Sequence, residues 1–305
     1  MSFPSIIRNT YRKAFVRCPQ SAAYLYEEGL DGAPSIDLHA GGAFAKGIEI
    51  ARRCYYANAL KVEHAIEAGR QALVHAYGDF PCPPTSNKTR AAMEGALYYY
   101  FERWPLDAPD ALRPIMMPDG SLSVEQHFSV PIPILHPLTL EPLRYEGRID
   151  MLAEDEDGDL WVVDEKTTGK LGDSWANQWY LDAGQTGYVW WARRVLPQRS
   201  IVGVKIRGIG IYKTGYGKME VPILFQPWET ERWYQQMLRD VARWKEMHVL
   251  GQYDRTLDHT CALYNNPCAF LPLCKQQDPT PLLDLMKRER AVEKSTLVST
   301  VADRD

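Results

Sequence analysis

The chain has 305 residues and a net charge of −4, and 45% of its residues are hydrophobic. This length and composition are typical of a globular protein with a substantial core. The negative charge argues against a protein that coats nucleic acid nonspecifically, although it allows a local basic groove. No apolar run is long enough to span a bilayer and no export signal is recognisable, so we expect a cytoplasmic protein without a membrane partner.

The hydrophobic pattern changes about one third of the way along the chain. Apolar residues first recur at helical spacing, which predicts helices over 6–26, 41–58, 62–77 and 89–104. The pattern then predicts strands over 121–134, 143–153, 160–166, 201–213 and 218–225. Two more helices are predicted over 174–195 and 228–249. Together these elements predict an α/β (α+β mixed) fold, with a central mixed sheet flanked by helices and a helical N-terminal elaboration.

The domain organisation follows from the absence of an internal repeat or low-complexity linker. We predict a single domain over 1–278. It comprises a helical part (1–105), a core (106–250) and a cysteine-containing segment (251–278). The charged tail, 279–305, is predicted to form one helix followed by disorder.

Two of the predicted strands flank a short acidic turn. A hairpin centred on Asp157 places Asp150 opposite Asp164, and strand alternation puts Lys166 on the same face. Neighbouring carboxylates repel unless a cation lies between them, and oxygen ligands suit Mg²⁺ or Mn²⁺. The alternative is a solvated hairpin with an ordinary Asp–Lys pair. The apolar run at 160–163 favours a functional site, because a buried unpaired charge is costly.

The sequence of the same hairpin resembles the conserved motifs of a known family. Residues 147–150 (Gly-Arg-Ile-Asp) and 164–168 (Asp-Glu-Lys-Thr-Thr) resemble the G-x-x-D and D-x-K-T motifs of RecB-like PD-(D/E)XK nucleases. The resemblance implies a restriction-endonuclease-like core. It also implies that Asp150 and Asp164 bind the metal ion and that Lys166 is the catalytic lysine.

A later helix carries a second motif of this family. Gln185-Thr186-Gly187-Tyr188 is similar to the Q-x-x-x-Y helix, although it is one residue shorter. The resemblance implies that Gln185 and Tyr188 line the active site and contact the DNA backbone. A packed aromatic helix is the alternative explanation for Tyr188.

Three further residues are candidate metal ligands. The family often has a histidine ligand in a G-x-x-H pattern, but the matching position here is Ala45. His39 lies nearby, and Glu49 is on the same predicted helix. Glu125 resembles a glutamate that these nucleases place on the strand before the hairpin. Structural or solvated roles are the alternatives for these residues.

Three cysteines, Cys261, Cys268 and Cys274, lie close together near the C-terminus. A tetrahedral or cuboidal metal site needs a fourth ligand. The cysteine–proline pair at Cys18 resembles the N-terminal cysteine motif of iron–sulfur PD-(D/E)XK nucleases, which include CRISPR-associated exonucleases. The resemblance implies that these four cysteines hold a [4Fe–4S] cluster. Zn²⁺, with His259 in place of Cys18, is the alternative.

Basic residues in one predicted strand pair are candidates for contact with DNA. Lys205, Arg207 and Lys213 lie even numbers of positions apart, so their side chains are predicted to project from the same face of the strand and make it basic. Arg148, inside the G-x-x-D motif, is a fourth candidate. An edge strand protected by lysines is the alternative explanation.

Taken together, the resemblance implies an Mg²⁺- or Mn²⁺-dependent deoxyribonuclease. We expect an exonuclease that acts on single-stranded DNA or DNA ends in recombination, repair, phage DNA processing or CRISPR adaptation, with protein partners from those pathways. One alternative is an inactive DNA-binding or assembly subunit with the same fold, which Ala45 in the histidine position mildly favours. Another is a hydrolase of other phosphoesters. The sequence leaves the oligomeric state open.

Overall fold

The structure, a computed structural model, describes residues 2–30, 35–263 and 266–302, without the side chains of 258, 259, 263, 266 and 292–302. The chain folds as two compact units. The first comprises Met1–Ala33, Ser129–Glu146 and Tyr234–Asp305, and the second comprises Pro34–Phe128 and Gly147–Trp233.

After one short strand, the chain forms a run of helices, then a run of strands, and then shorter groups of helices and strands in turn. The strands are β1 (Ile6–Arg8), β2 (Arg113–Pro114), β3 (Val124–Leu135), β4 (Pro142–Glu154), β5 (Leu160–Thr168), β6 (Ile201–Tyr212), β7 (Gly215–Leu224), β8 (Ala262–Leu263) and β9 (Asn266–Pro267). The α-helices are α1 (Asn9–Arg17), α2 (Pro19–Ala22), α3 (Ile36–Arg52), α4 (Val62–Tyr77), α5 (Arg90–Arg103), α6 (Asp173–Asn177), α7 (Ala183–Val195), α8 (Pro227–Leu250), α9 (Leu271–Cys274) and α10 (Thr280–Ala302). Among the described helices, none combines the length and apolarity that crossing a membrane requires.

The second unit is built on a mixed sheet with the strand order β4-β5-β6-β7. Strands β4 and β5 are antiparallel, with Met151 opposite Val163 and Leu152 opposite Val162. Strand β5 runs parallel to β6, and β6 is antiparallel to β7. The mixed sheet, its flanking helices and the predicted register of the β4–β5 hairpin are therefore confirmed.

Helices α3, α4 and α5 cover one face of this sheet. Ile209 and Ile211 of β6 are fully buried in a cluster with Phe44 of α3 and Leu97 of α5. Alternation along β5 and β6 places Glu165 and Arg207 on this covered face, because they are register partners and share the parity of Ile209. Asp164 and Lys166 therefore project from the other face.

The first unit contains a short parallel strand pair and a helical cluster. Ile6–Arg8 of β1 pairs with Arg144–Glu146, the part of β4 that belongs to this unit. Phe15 of α1 stacks on Trp244 of α8, with ring centroids 5.3 Å apart. A buried carboxylate, Glu27, accepts hydrogen bonds from Trp244 Nε1 at 2.7 Å and from the Tyr253 hydroxyl at 2.6 Å.

Two sequence-based helix predictions are wrong in detail. The predicted helix over 6–26 begins as strand β1, because pairing with β4 overrides the local helical pattern. The predicted helix over 174–195 is two helices, α6 and α7, because Asp182 adopts an extended backbone and caps a new helix. In the predicted tail, the structure describes a helix, α10, as far as Ala302. The residues after it lie outside the described part of the chain.

Candidate active site

Asp150 and Asp164 lie side by side on β4 and β5. Continuing the hairpin register by one residue beyond Met151 brings Asp150 opposite Asp164. Burial and the neighbouring Asp164 carboxylate raise the pKa of Asp150 well above its ordinary value. Burial also raises the pKa of Asp164, although Lys166 opposes that effect. Two carboxylates that are costly to ionise at one place favour a bound cation.

Lys166 is the cation that the chain itself supplies at this position. Its ammonium forms an ion pair with the Asp164 carboxylate, and 36% of its side chain remains exposed. Burial alone would lower the pKa of Lys166, but Asp164 and Asp150 outweigh it and raise the pKa. The two carboxylates therefore favour the protonated form of Lys166.

Glu165, between Asp164 and Lys166 of the D-x-K motif, makes its contacts on the opposite face of the sheet. Its carboxylate is ion-paired with Arg52 and accepts a hydrogen bond from the Tyr100 hydroxyl at 3.0 Å. Arg52 Nη2 donates to the same hydroxyl at 2.7 Å. Burial alone would raise the pKa of Glu165, but Arg52 and Arg207 outweigh it and lower the pKa. Sequence analysis missed Arg52 and Tyr100, because no local pattern links two helix residues to a distant strand.

Helix α7 carries two polar side chains, Gln185, which is buried, and Tyr188, which is partly buried. Asp182 accepts hydrogen bonds from two backbone N–H groups of the first turn, at 2.7 and 3.2 Å. Gln185 is only 3% exposed, and its Oε1 accepts no hydrogen bond from the described residues. Burial, followed by the charges of Asp164 and Asp150, raises the pKa of Tyr188. The Tyr188 hydroxyl therefore stays protonated and lies near both carboxylates.

Gly147 makes room for this arrangement. A Cβ atom at position 147 would lie 2.5 Å from Phe128 Cζ and 3.0 Å from Tyr188 Cε1. The rings of Phe128 and Tyr188 meet edge to face, with centroids 6.2 Å apart. The glycine of the G-x-x-D motif therefore has a steric role, because a side chain there would overlap the Phe128 ring and crowd the Tyr188 ring.

Glu125 lies at a bend in β3. Its backbone has a φ of 50°, a left-handed conformation that is unusual for a residue with a side chain. Arg148 Nε forms an ion pair with the Glu125 carboxylate at 2.8 Å. Glu125 also contributes to the raised pKa of Asp150, so it borders the carboxylate pair.

The other two candidate ligands differ in their surroundings. Glu49 forms ion pairs with Lys46 at 2.8 Å and with Arg53 at 3.0 Å, and its charge acts on Glu125. The His39 ring instead stacks on Phe80 with centroids 3.9 Å apart, and its Nε2 is 2.8 Å from a backbone carbonyl oxygen. The structure thus brings Glu49 and Glu125 toward the site, whereas His39 packs against an aromatic ring. Their roles as ligands stay predictions.

The carboxylate oxygens of Asp150 and Asp164 are ligands of the kind that suits a hard divalent cation. Within the described part of the chain, no three His, Cys, Asp or Glu side chains converge on a common metal position. Mg²⁺ is usually bound by one or two carboxylates and otherwise by water and substrate phosphate. Asp150 and Asp164 therefore meet the requirement of such an ion without a third protein ligand.

The candidate DNA contacts do not form one continuous face. Lys205 and Arg207 line a cavity beside helix α5, and Lys213 is exposed in the turn after β6. Ile209 and Ile211, which have the same strand parity, are buried between them. Arg148 is exposed beside Glu125. Contacts between these four basic residues and DNA stay a prediction.

The four predicted cluster ligands lie together in the first unit. Cys18, Cys261, Cys268 and Cys274 are free thiols that line one cavity of about 560 Å³. Burial raises the pKa of Cys274, and the other three thiols raise it further. The backbone N–H of Cys268 donates to the carbonyl oxygen of Cys261 at 2.8 Å. The side chain of His259, the alternative ligand, lies outside the described residues.

Comparisons with known proteins identify the family to which this chain belongs. A family model described as the PD-(D/E)XK nuclease superfamily matches residues 11–275. A search of curated proteins finds no match. One solved structure, named "Putative exonuclease" from Eubacterium rectale, is 12% identical, with 89% of this chain and 93% of that chain covered and a TM-score of 0.46. Another, of the protein SSO0001, is 13% identical, with 90% of this chain and 88% of that chain covered and a TM-score of 0.34. Because the family model spans most of its length, this chain belongs to the PD-(D/E)XK nuclease superfamily.

Proposed function

We propose that the protein is a divalent-metal-dependent DNA nuclease that hydrolyses phosphodiester bonds as an exonuclease at single-stranded DNA or DNA ends. The observation that carries the proposal is the placement of Asp150 beside Asp164, with the protonated Lys166 paired to Asp164. The proposed roles include end processing in recombination, repair, phage DNA metabolism or CRISPR adaptation.

Asp150 and Asp164 would hold the metal ion. A bound Mg²⁺ or Mn²⁺ would polarise the phosphodiester and lower the pKa of the attacking water. Asp150 accepts a hydrogen bond from the backbone N–H of Glu165 at 2.7 Å, so its carboxylate is fixed before an ion arrives. Glu125 borders Asp150, and Glu49 lies near Glu125; both are proposed as further ligands, either directly or through water.

The remaining side chains would act on the substrate. Lys166 carries a full positive charge, which stabilises the negative charge that develops on the phosphate during attack. Tyr188 keeps its proton and can donate a hydrogen bond to a phosphate oxygen. The buried Gln185 Oε1 lacks a partner among the described residues and can accept a hydrogen bond from the attacking water.

Support for unpaired DNA as the substrate comes from apolar side chains beside the site. Trp175 packs over Gly208, which is the register partner of Lys166. Between α6 and α7, Tyr180 is 52% exposed and Leu181 is 90% exposed. Aromatic surfaces next to a phosphate-binding centre can stack on unpaired bases.

The test is cleavage of linear and circular DNA, each single- and double-stranded, with Mg²⁺ or Mn²⁺. The proposal predicts metal-dependent degradation of linear single strands, protection of circles, and a ladder from end-labelled DNA that gives the polarity. Equal cleavage of circles would contradict the end requirement. Binding of DNA without any cleavage would support the inactive DNA-binding subunit.

We also propose that Cys18, Cys261, Cys268 and Cys274 hold a [4Fe–4S] cluster, with Zn²⁺ as the alternative. Support comes from the shared cavity of about 560 Å³. Four thiolates stand farther apart around a cubic cluster than around one zinc ion.

Metal analysis of anaerobically purified protein tests the cluster. The wild type is expected to contain about four iron atoms per chain and to show the broad visible absorbance of an iron–sulfur protein. Cys274→Ser should lose both signals, whereas Cys82→Ser, outside this cavity, should retain them. Stoichiometric zinc without iron would contradict the cluster and support the alternative.

A further inference from the structure

A second polar cavity lies beside the face of the sheet that carries Glu165. Its volume is about 290 Å³. Five basic residues and two acidic residues are among those that line it: Arg52, Arg103, Lys205, Arg207 and Lys218, with Asp110 and Glu220. Strand parity separates this cavity from Asp164 and Lys166, which project from the other face.

The positive charges in this cavity are only partly neutralised. Arg52 is paired with Glu165, Arg207 Nε is 2.8 Å from a Glu220 carboxylate oxygen, and Arg103 is paired with Glu102 at 3.3 Å. In the part of the chain that the structure describes, neither Lys205 nor Lys218 has a carboxylate partner in an ion pair. The cavity therefore keeps an excess of positive charge that a bound anion can neutralise.

Aromatic rings hold these cations in place. The Arg207 guanidinium lies 5.0 Å from the centre of the Trp104 ring, and Lys218 Nζ lies 5.7 Å from it. Lys205 Nζ lies 4.7 Å from the centre of the Trp161 ring. Cation–π contacts leave the N–H donors of a cation available to a ligand. Lys205 and Lys218 are therefore positioned by aromatic rings, whereas Arg207 is positioned both by Trp104 and by its hydrogen bond to Glu220.

The buried arginine adds a preformed donor. Arg207 is only 8% exposed, and its Nη1 donates to the Tyr100 hydroxyl at 3.4 Å. Arginine presents a rigid set of donors that matches the geometry of a phosphate group. The fixed guanidinium of Arg207, together with Lys205 and Lys218, can therefore bind a small ligand that carries two negative charges.

We propose that this cavity, distinct from the nuclease centre, binds a phosphate monoester no larger than a mononucleotide. Its volume is at the lower end of the range for small-molecule sites, which excludes an oligonucleotide from the interior. The phosphate would contact Arg207, Lys205 and Lys218. The inference does not depend on nuclease activity, because the cavity contains none of the proposed catalytic residues.

Isothermal titration calorimetry on the full chain tests the proposal, with inorganic phosphate and deoxyadenosine monophosphate as probes. EDTA in the buffer removes binding through a metal ion at Asp150 and Asp164. We expect saturable binding to the wild type, and about tenfold weaker binding for each of Lys205→Gln and Lys218→Glu. Lys218 is exposed, so its substitution should leave the fold intact. Lys213→Ala, in the exposed turn of the same strand pair, is the matched control and should bind as the wild type does.

Two results would overturn the proposal. One is the absence of saturable binding of both probes by the wild type. The other is binding that persists in Lys205→Gln and Lys218→Glu but disappears in Lys166→Ala, which would assign the anion to the nuclease centre. Neither result depends on DNA cleavage, so failure here and failure of the proposed nuclease activity are distinguishable.

Discussion

The backbone N–H of Glu165 donates a hydrogen bond to Oδ2 of Asp150 at 2.7 Å. The side chain of the same glutamate points to the other face of the sheet and pairs with Arg52. Glu165 therefore joins the proposed metal ligand to the helices that cover the opposite face. The Glu165 side chain is therefore buried beside Arg52 and Arg207, although its neighbours Asp164 and Lys166 project from the other face.

The Arg52–Glu165 pair should contribute strongly to stability. Both side chains are only 3% exposed, and removal of one partner leaves the other charged and buried. We expect Arg52→Met to lower the free energy of unfolding by about 3 kcal/mol. The double variant Arg52→Met with Glu165→Gln should lose less than the sum of the two single variants. Urea denaturation of all four proteins measures this coupling, and strictly additive losses would contradict it.

Asp150→Asn should raise the stability of the protein and abolish its activity. The substitution removes a carboxyl group that is costly to ionise beside Asp164, while the amide oxygen can still accept the hydrogen bond from the Glu165 backbone N–H. We expect the melting temperature in EDTA to rise and metal-dependent cleavage to be lost. Asp157→Asn, at the exposed tip of the same hairpin, is the control and should change neither quantity. A lower melting temperature for Asp150→Asn would contradict the repulsion.

The stability of the metal-free protein should depend on pH through Asp150. The pKa of Asp150 in the folded protein is raised well above its ordinary value of 3.8, so the native state holds a proton that the unfolded chain has released. Stability should therefore decrease as the pH rises from about 4 through the raised pKa. Mg²⁺ should reduce this loss of stability at high pH. Asp150→Asn should abolish the part of the loss that comes from ionisation of the Asp150 carboxyl group. Melting curves across this range test the difference, and identical pH profiles for wild type and variant would contradict it.

Gly147→Ala should disturb the site by steric overlap. The added Cβ would lie 2.5 Å from Phe128 and 3.0 Å from Tyr188, so one of the rings must move. We expect a loss of about 2 kcal/mol in the free energy of unfolding, together with slower cleavage. Gly42→Ala is the matched control, because that exposed helical glycine has open space around it and alanine should stabilise the helix by up to about 1 kcal/mol. Equal effects of the two substitutions on stability would contradict the steric role of Gly147.

The sequence predicts the local parts of the fold well. The β4–β5 hairpin was predictable because an acidic turn separates two apolar strands, and its register follows from the position of that turn. Helix α4 was predicted with its observed bounds, 62–77, because its apolar residues are regularly spaced. Strand β1 was missed, because its pairing with β4 depends on residues more than a hundred positions away.

The surroundings of the site were less predictable for the same reason. The contacts of Arg52 and Tyr100 with Glu165 join two helices to a strand, and no sequence periodicity reports them. Lys205 and Arg207 were predicted to form one basic face with Lys213. The structure separates them because helices bury the intervening Ile209 and Ile211. The alternation of side chains along a strand tells which face of the sheet a residue lies on. It does not tell which part of that face is covered by helices.

The most direct test of the nuclease assignment compares Lys166→Ala with Lys170→Ala in cleavage of end-labelled single-stranded DNA with Mg²⁺ or Mn²⁺. Lys166 is paired with Asp164, whereas Lys170 is exposed four residues further along the chain. Loss of the charged donor should lower the cleavage rate of Lys166→Ala by about a hundredfold or more, and Lys170→Ala should cleave as the wild type does. Equal cleavage by the wild type and Lys166→Ala would contradict the proposed active site.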